Sequence, residues 1–369
     1  LQIYKCPGAI QIDGELDDPG WRAASVAAGF AENDPGDQIK PPVESRALVT
    51  YDDRRLYIAF LAFDDPRTVR GNLRDRDNIF QDDYFGIMLD TYGDASGAYE
   101  LYVNPIGIQG DLRMLPSGEE DLAMDLVWES RGLVTDSGYQ VEIAIPFSSL
   151  RFPEKPDQEW KVNFWRDHQR DVRRRYSWAA IDRDEPCFMC QFGTLKGISG
   201  IKPGSRLDLL PNITALQQGS LRERDPDGVE FHNQSVEAEV AMNAKYSVST
   251  NATAEITVNP DFSQVESDAT QIDVNSSYAL YYSERRPFFQ EGSDLFSTPF
   301  SVVYTRAISD PELAGKFTGT FGRTSVALLA ARDERTPLLV PLADRTRVWS
   351  GGNSTSNIVR VKQALPGNS

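Results

Sequence analysis

The chain has 369 residues, too many for one ordinary core, with normal apolar and aromatic content and with 27 Gly and 22 Pro dispersed as turn punctuation, so two units rich in β structure are expected. A formal charge of −17, from 38 basic and 55 acidic side chains, argues against nucleic acid as a partner. Nowhere does the chain approach the roughly 18 consecutive apolar residues of a membrane helix, and its most apolar runs, such as Val326 to Ala331, are strand-sized. An alternation over Ala9 to Asp13 predicts a first strand, followed by a turn and a docked Trp21. Residues 45–51 and 55–63, joined by Asp52-Asp53-Arg54, predict a hairpin, and 83–90 and 97–104 predict another. Further strands are expected over 126–130, 138–145 and 160–167, with at most one helical turn at Pro146 to Leu150. Many short strands and little helix indicate an all-β fold opening with a two-sheet, jelly-roll-like β-sandwich over 1–201.

After Lys202-Pro203-Gly204 the pattern lengthens. Over Ser235 to Ser249, Val236, Ala238, Val240, Met242, Ala244, Tyr246 and Val248 share one face, and Glu237, Glu239, Asn243, Lys245 and Ser247 the other. Ala252 to Val258 continues as its partner, 316–321 and 325–331 form a second hairpin, and 357–362 begins another strand. Such repeats, apolar on one face and polar on the other over about 10 residues, suit antiparallel hairpins of an outer-membrane β-barrel over 202–369, although a soluble sandwich can show the same pattern. Residues 278–300, with Glu284-Arg285-Arg286-Pro287-Phe288-Phe289, read as a loop folded against or into the barrel. Its charges would either steer a polar solute in a lumen or form an ion pair and aromatic plug. The start at Leu1, without a basic and apolar leader, suggests a processed or trimmed exported product.

Two groups of residues resemble known families. Ile12-Asp13-Gly14-Glu15-Leu16-Asp17-Asp18-Pro19-Gly20-Trp21, Tyr57-Ile58-Ala59-Phe60, Asp82-Asp83-Tyr84-Phe85, Ile143-Ala144-Ile145-Pro146-Phe147 and Gln191-Phe192-Gly193 together resemble the carbohydrate-binding module family 9-like domain, over residues 1 to about 200. Asn259-Pro260-Asp261-Phe262-Ser263-Gln264-Val265-Glu266 and Glu284 to Gly292 look like the barrel that follows this module in a large family of bacterial outer-membrane proteins of unknown function. The resemblance implies an oligosaccharide or polysaccharide ligand, contact with outer-membrane lipid, a periplasmic amino-terminal module, and a barrel with more strands than this chain supplies.

Sugars are held when an aromatic ring stacks on the apolar face of a pyranose while charged or amide groups bond its hydroxyls. Trp165, Arg166 and Asp167 at one strand end, and Trp178 on the next strand, are the candidate binding residues. Family 9 modules carry a second Trp shortly before the Phe-Gly that corresponds to Phe192-Gly193; this chain has Pro186-Cys187-Phe188-Met189 there, leaving Phe188 as the aromatic substitute. Asp82, Asp83, Asp90 and Asp94 are hard oxygen donors that could take Ca²⁺ or serve as solvated turn carboxylates; no other cofactor is expected. Of three cysteines, Cys187 and Cys190 could close a small loop, one of them could reach Cys6, or all could be inert thiols. No nucleophile elbow, zinc-helix motif or phosphate loop is present. Glu100, Asp111 and Glu142 are the strand-borne acids a glycosidase reading would need, while a partner-docking module without sugar affinity is the structural alternative.

Overall fold

A computed structural model describes residues 1–115, 118–122, 124, 126–201, 207–217, 219–224, 228–260, 284, 286–290, 292–296, 298, 302–308, 311–334, 337–341 and 346–363. The chain divides into two compact units, Leu1–Ser205 and Arg206–Ser369. The described part is all-β, with antiparallel sheets, one short α-helix, Pro287–Gln290, and several 3-10 turns.

The first unit contains β1 (Ser25–Ala27), β2 (Ala31–Asp34), β3 (Ser45–Tyr51), β4 (Arg55–Phe63), β5 (Tyr84–Asp90), β6 (Ala98–Val103), β7 (Gln109–Met114), β8 (Glu120–Asp121), β9 (Glu129–Thr135), β10 (Gly138–Pro146), β11 (Asp157–Gln169), β12 (Arg173–Ser177) and β13 (Gly193–Ser199). They form a five-stranded sheet, β1-β3-β4-β10-β9, and an eight-stranded sheet, β2-β12-β11-β5-β6-β7-β8, with β13 pairing the first half of β11. The core between the sheets includes Ile58, Phe60, Phe85, Leu101, Val141 and Phe164. Because side chains alternate along a strand, each inward residue of β5, β6 and β11 is followed by one on the outer face.

Arg166 points into this core. Its side chain is fully buried; Nη1 donates to the Glu44 carbonyl (3.0 Å) and Ser45 Oγ (3.1 Å), and Nη2 donates to Asp64 Oδ2 (3.1 Å). Its guanidinium lies 5.6–5.9 Å from the ring centroids of Phe85, Tyr139 and Tyr176, where their faces supply favourable quadrupoles. Burial would raise the Asp64 carboxyl, but His168, Arg170 and Arg166 beside it bring it down to about 2.

The strand expected at Ala9 to Asp13 is irregular. The Asp13 and Gly14 amides donate to Glu142 Oε2 (3.0 and 2.7 Å), and the Trp21 indole donates to Glu142 Oε1 (2.8 Å). A carboxylate on the outer face of β10 thus takes the place of a ladder partner, and Gly14, at φ +96°, supplies the left-handed turn this needs. Likewise 126–128 are not strand, and β9 starts at Glu129.

The second unit contains β14 (Leu207–Leu216), β15 (Gly219–Arg224), β16 (Gly228–Asn233), β17 (Glu237–Ser249), β18 (Ala252–Val258), β19 (Pro311–Phe321), β20 (Thr324–Asp333), β21 (Pro337–Pro341), β22 (Thr346–Ser350) and β23 (Ser354–Gln363). Six form the sheet β14-β17-β18-β19-β20-β23, which is open at β14 and β23 among the described residues, while β15-β16 and β21-β22 are separate hairpins.

This sheet inverts the usual burial. Leu209, Val240, Met242, Ile256, Leu313, Leu328, Val359 and Val361 lie on one face and are exposed, Val359 to 70%. The opposite face carries buried Thr253, Glu255, Thr257, Lys316 and Thr318, with a Lys316–Glu255 ion pair at 3.1 Å. Phe288, Phe289, Phe296 and Ile308 pack on Ala314, Ala327, Leu329 and Ala331 of that face. Lys316 Nζ donates to the Phe288 carbonyl (2.5 Å), and Arg286 pairs with Glu284 (2.7 Å) over the Phe289 ring (4.1 Å). Residues 284 and 286–290 therefore form an ion pair and aromatic plug; Arg285 and residues 261–266 of the other motif lie outside the described residues. Two-residue turns, Thr250-Asn251 and Gly322-Arg323, join strands at one end of the sheet, and the strand ends separated by longer stretches of sequence, Leu216 and Glu237, Val258 and Pro311, and Asp333 and Ser354, are at the other.

Replacing Arg166 with Ala strands its acceptors in the core and leaves a cavity among three rings, so Arg166→Ala is expected to cost the first unit about 3–5 kcal/mol in denaturant unfolding followed by tryptophan fluorescence. A loss below about 1 kcal/mol, the scale of a surface pair, would contradict this.

Candidate functional site

The outer face of the eight-stranded sheet carries a second apolar cluster, including Tyr84 and Met88 of β5, Ala98 and Tyr102 of β6, Leu112 and Met114 of β7, and Met189 and Phe192. A hollow of about 460 Å³ opens above it, walled by Phe80, Tyr84, Tyr102, Trp165 and Phe188 over Met88 and Met114, with Glu120, Arg173 and Arg175 also lining it. Phe80, Tyr84 and Tyr102 pack edge to face at 5.2–5.9 Å. Gly86 makes room for Tyr102: a Cβ there would lie 2.1 Å from its ring.

Trp165 and Phe188 meet across the hollow at 6.3 Å, edge to face, and Phe188 rests on Phe192 at 5.4 Å. Asp167, two residues from Trp165, is on the same face but fully buried. It accepts from Arg173 Nε (2.8 Å), the Tyr84 hydroxyl (3.1 Å) and Gln169 Nε2 (2.6 Å). Burial pushes its carboxyl up while Arg173 pulls it down. Asp167 therefore anchors the wall instead of offering itself to a ligand. Arg175 is different: among the described residues its charge contacts are Asp167 at 3.6 Å and Asp34 at 3.7 Å, both beyond hydrogen-bond reach.

Of the sequence-predicted binding residues, the structure brings Trp165, Phe188 and Asp167 together. Arg166 is on the opposite face of β11, and the Trp178 ring packs on Phe164 (5.6 Å) and covers Gly193, beside the inter-sheet core. No sequence signal marks Tyr84, Met88 and Tyr102 as site residues, because β5 and β6 are buried on both faces and alternation distinguishes neither face as the outer one; Met114 lies on β7, whose pattern Gly110 and Asp111 interrupt. Cys187 and Cys190 are bonded to each other, with Cα atoms 5.4 Å apart, and Cys6 is free.

The four Asp residues do not converge. Asp82 accepts from Asn72 and Asn104 and pairs with Arg74 (3.1 Å), and Asp83 is bound by Arg170 (2.8 Å). At the far end of β5, Asp90 accepts from the Tyr92, Gly93 and Ala95 amides, and Asp94 accepts from that of Ser96. Among the described residues no group of three or more His, Cys, Asp or Glu is placed to hold a metal ion. The three strand-borne acids are also separated. Glu142 holds Trp21 on the five-stranded sheet, Glu100 lies on the hollow's face of β6, and Asp111, opposite Leu101, is on the other face, paired with Arg76 at 2.7 Å.

Glu100 is fully buried between Met88 and Leu112. Burial first, and the charge of Glu120 second, push its carboxyl up to about 8, with the Tyr102 hydroxyl opposing. At neutral pH it is therefore an uncharged acid beneath an aromatic hollow.

Residues 203–317 match a family described as a domain of unknown function, DUF5916. Among solved structures, the chain is similar to a family 9 carbohydrate-binding module from Caldicellulosiruptor kristjanssonii in complex with cellotriose (17% identity, TM-score 0.38, covering 56% of this chain and 95% of that one). It is also similar to a family 9 module of that organism in complex with glucose (17%, 0.37, 56% and 97%). A third is a Bacteroides uniformis protein provisionally described as carbohydrate-binding (16%, 0.43, 53% and 97%). No curated protein matches the chain.

Because the Glu100 pKa is raised on folding, the folded state holds a proton that the unfolded chain releases above its ordinary value of 4.5. The stability it supports is complete below that value and is lost as pH rises through about 8. Between pH 5 and 9 the first unit is expected to lose on the order of a few kcal/mol. Glu100→Gln should flatten that slope in unfolding titrations, and an unchanged slope would show that Glu100 is not its source.

Proposed function

We propose that the first unit is a non-catalytic carbohydrate-binding module whose ligand occupies the Trp165–Phe188 hollow. In this reading the second unit is part of an outer-membrane β-barrel that holds the module at the bacterial envelope, on the periplasmic side, in glycan capture or uptake. The observation that carries the sugar reading is one concave surface with aromatic walls and a loosely paired cation, Arg175, at its edge. Rings stack on the apolar face of a pyranose, and Arg175 and Glu120 can bond its hydroxyls. A catalytic reading lacks comparable support, since Glu100, Asp111 and Glu142 share no face on which two carboxylates could flank a glycosidic bond.

The membrane reading rests on the inverted sheet. An apolar face this extensive is costly in water and suits hydrocarbon, while its ion-paired reverse suits a barrel interior. Short turns at one end, and strand ends separated by longer stretches of sequence at the other, match the periplasmic and extracellular ends of such barrels, and β14 begins at the short-turn end.

Titration of the full chain in detergent with neutral and uronate-containing oligosaccharides tests the first part. Saturable binding is expected, weakened about tenfold by Trp165→Ala or Phe188→Ala, with Trp178→Phe near wild type. Silence across the panel would favour a partner-docking module. For the second part, tryptophan placed at Val240 should be quenched by brominated phospholipids after reconstitution, and tryptophan at Thr257 should not; equal quenching would reject a lipid-facing sheet.

A further inference from the structure

The loop that carries Phe188 has few anchors of its own. Residues 182–186 are exposed, and 178–192 contribute no strand. Met189 is buried in the apolar cluster beneath the hollow and begins a single 3-10 turn, Met189–Gln191. Backbone bonds from Gln191 to the Phe188 carbonyl and from Phe192 to the Met189 carbonyl are both 3.2 Å. The Gln191 side chain ties the turn to Asp182. The Cys187–Cys190 disulfide spans this turn and encloses Phe188, a wall residue of the hollow, and Met189, which is anchored in the apolar cluster beneath it. Cys187 is half-buried and Cys190 exposed, so an external thiolate can reach the bond.

We infer that the Cys187–Cys190 disulfide is the positioning element for Phe188, and that it makes the width of the hollow, and with it ligand affinity, dependent on thiol–disulfide exchange. The affinity clause rests on reading the hollow as the ligand site; the positioning clause does not. Closing a ring around two residues removes conformations in which Phe188 swings away from Trp165 while Met189 stays docked. In the reaction a thiolate of a dithiol attacks Cys190 Sγ, the S–S bond breaks, and the Cys187 sulfur leaves as a thiolate that takes up a proton. The reagent's second thiol then attacks the mixed disulfide and releases Cys190 as a thiol. The protein is reduced by two electrons and the dithiol is oxidised to its cyclic disulfide.

The test reads Trp165 directly, as the emission of the full chain minus that of its Trp165→Phe variant in each background, with acrylamide as quencher. Phe188→Ala should expose Trp165 and raise its quenching. Cys187→Ser/Cys190→Ser, or folded wild type treated with dithiothreitol, should shift quenching toward the Phe188→Ala value with the other tryptophans unmoved. Wild-type quenching in both disulfide-free samples, or no effect of Phe188→Ala, overturns the inference. The treated wild type decides the matter where the double variant fails to fold. If oligosaccharide binds wild type, its Kd should rise roughly three- to tenfold in the same samples. A wild type that binds no sugar defeats the sugar reading, while the quenching result still decides the role of the disulfide.

Discussion

Alternation of side chains along a strand is the constraint on which both units depend. In β11 it sends Phe164, Arg166 and His168 between the sheets and leaves Trp165 and Asp167 on the outer face. In β17 through β20 the same period separates an exposed apolar face from a buried polar one. Neither arrangement could shift by one residue, because a slip would bury the wrong set along the whole strand.

Charges inside the first unit are tolerated because each is answered. Arg166 meets Asp64 and three aromatic rings, Asp167 meets Arg173 and Tyr84, and Glu142 meets two amides and an indole. Breaking one member of such a group costs more than the group adds to stability, so these contacts fix geometry more than they strengthen the fold. Glu100 follows another route: burial without a cation keeps its proton on. The outer face thereby gains a hollow with aromatic walls over Met88 and Met114, with the charged groups of Glu120, Arg173 and Arg175 also lining it.

Much of this was legible in the chain. The strands over 45–63, 83–104 and 138–145 follow from short β-rich runs bounded by turn residues, the hairpins after 235 from period-two patterning, and Trp21 is docked as its context suggests. The parity of Trp160, Val162 and Phe164 also contained the signal that Arg166 faces inward, but a charged residue at that parity reads as surface until its distant partners Glu44, Ser45 and Asp64 are known. Strands β7 and β14 were hidden by Gly110 and by Pro211. That Asp82 and Asp90 are spent on side chains and turn amides depends on contacts no spacing rule reports. Nor could spacing choose between Cys6 and Cys187 as the partner of Cys190.

The account therefore assigns adjacent residues of one strand to opposite fates, one in a ligand hollow and the next in a sealed core. Hydroxyl-radical footprinting of the full chain, with and without a saturating oligosaccharide, measures that division most directly. Protection confined to Trp165, Phe188 and Phe80, with Trp21 and Trp178 unchanged, is the predicted result. Protection centred on Trp178, or none at Trp165 under saturating ligand, would contradict the central claim.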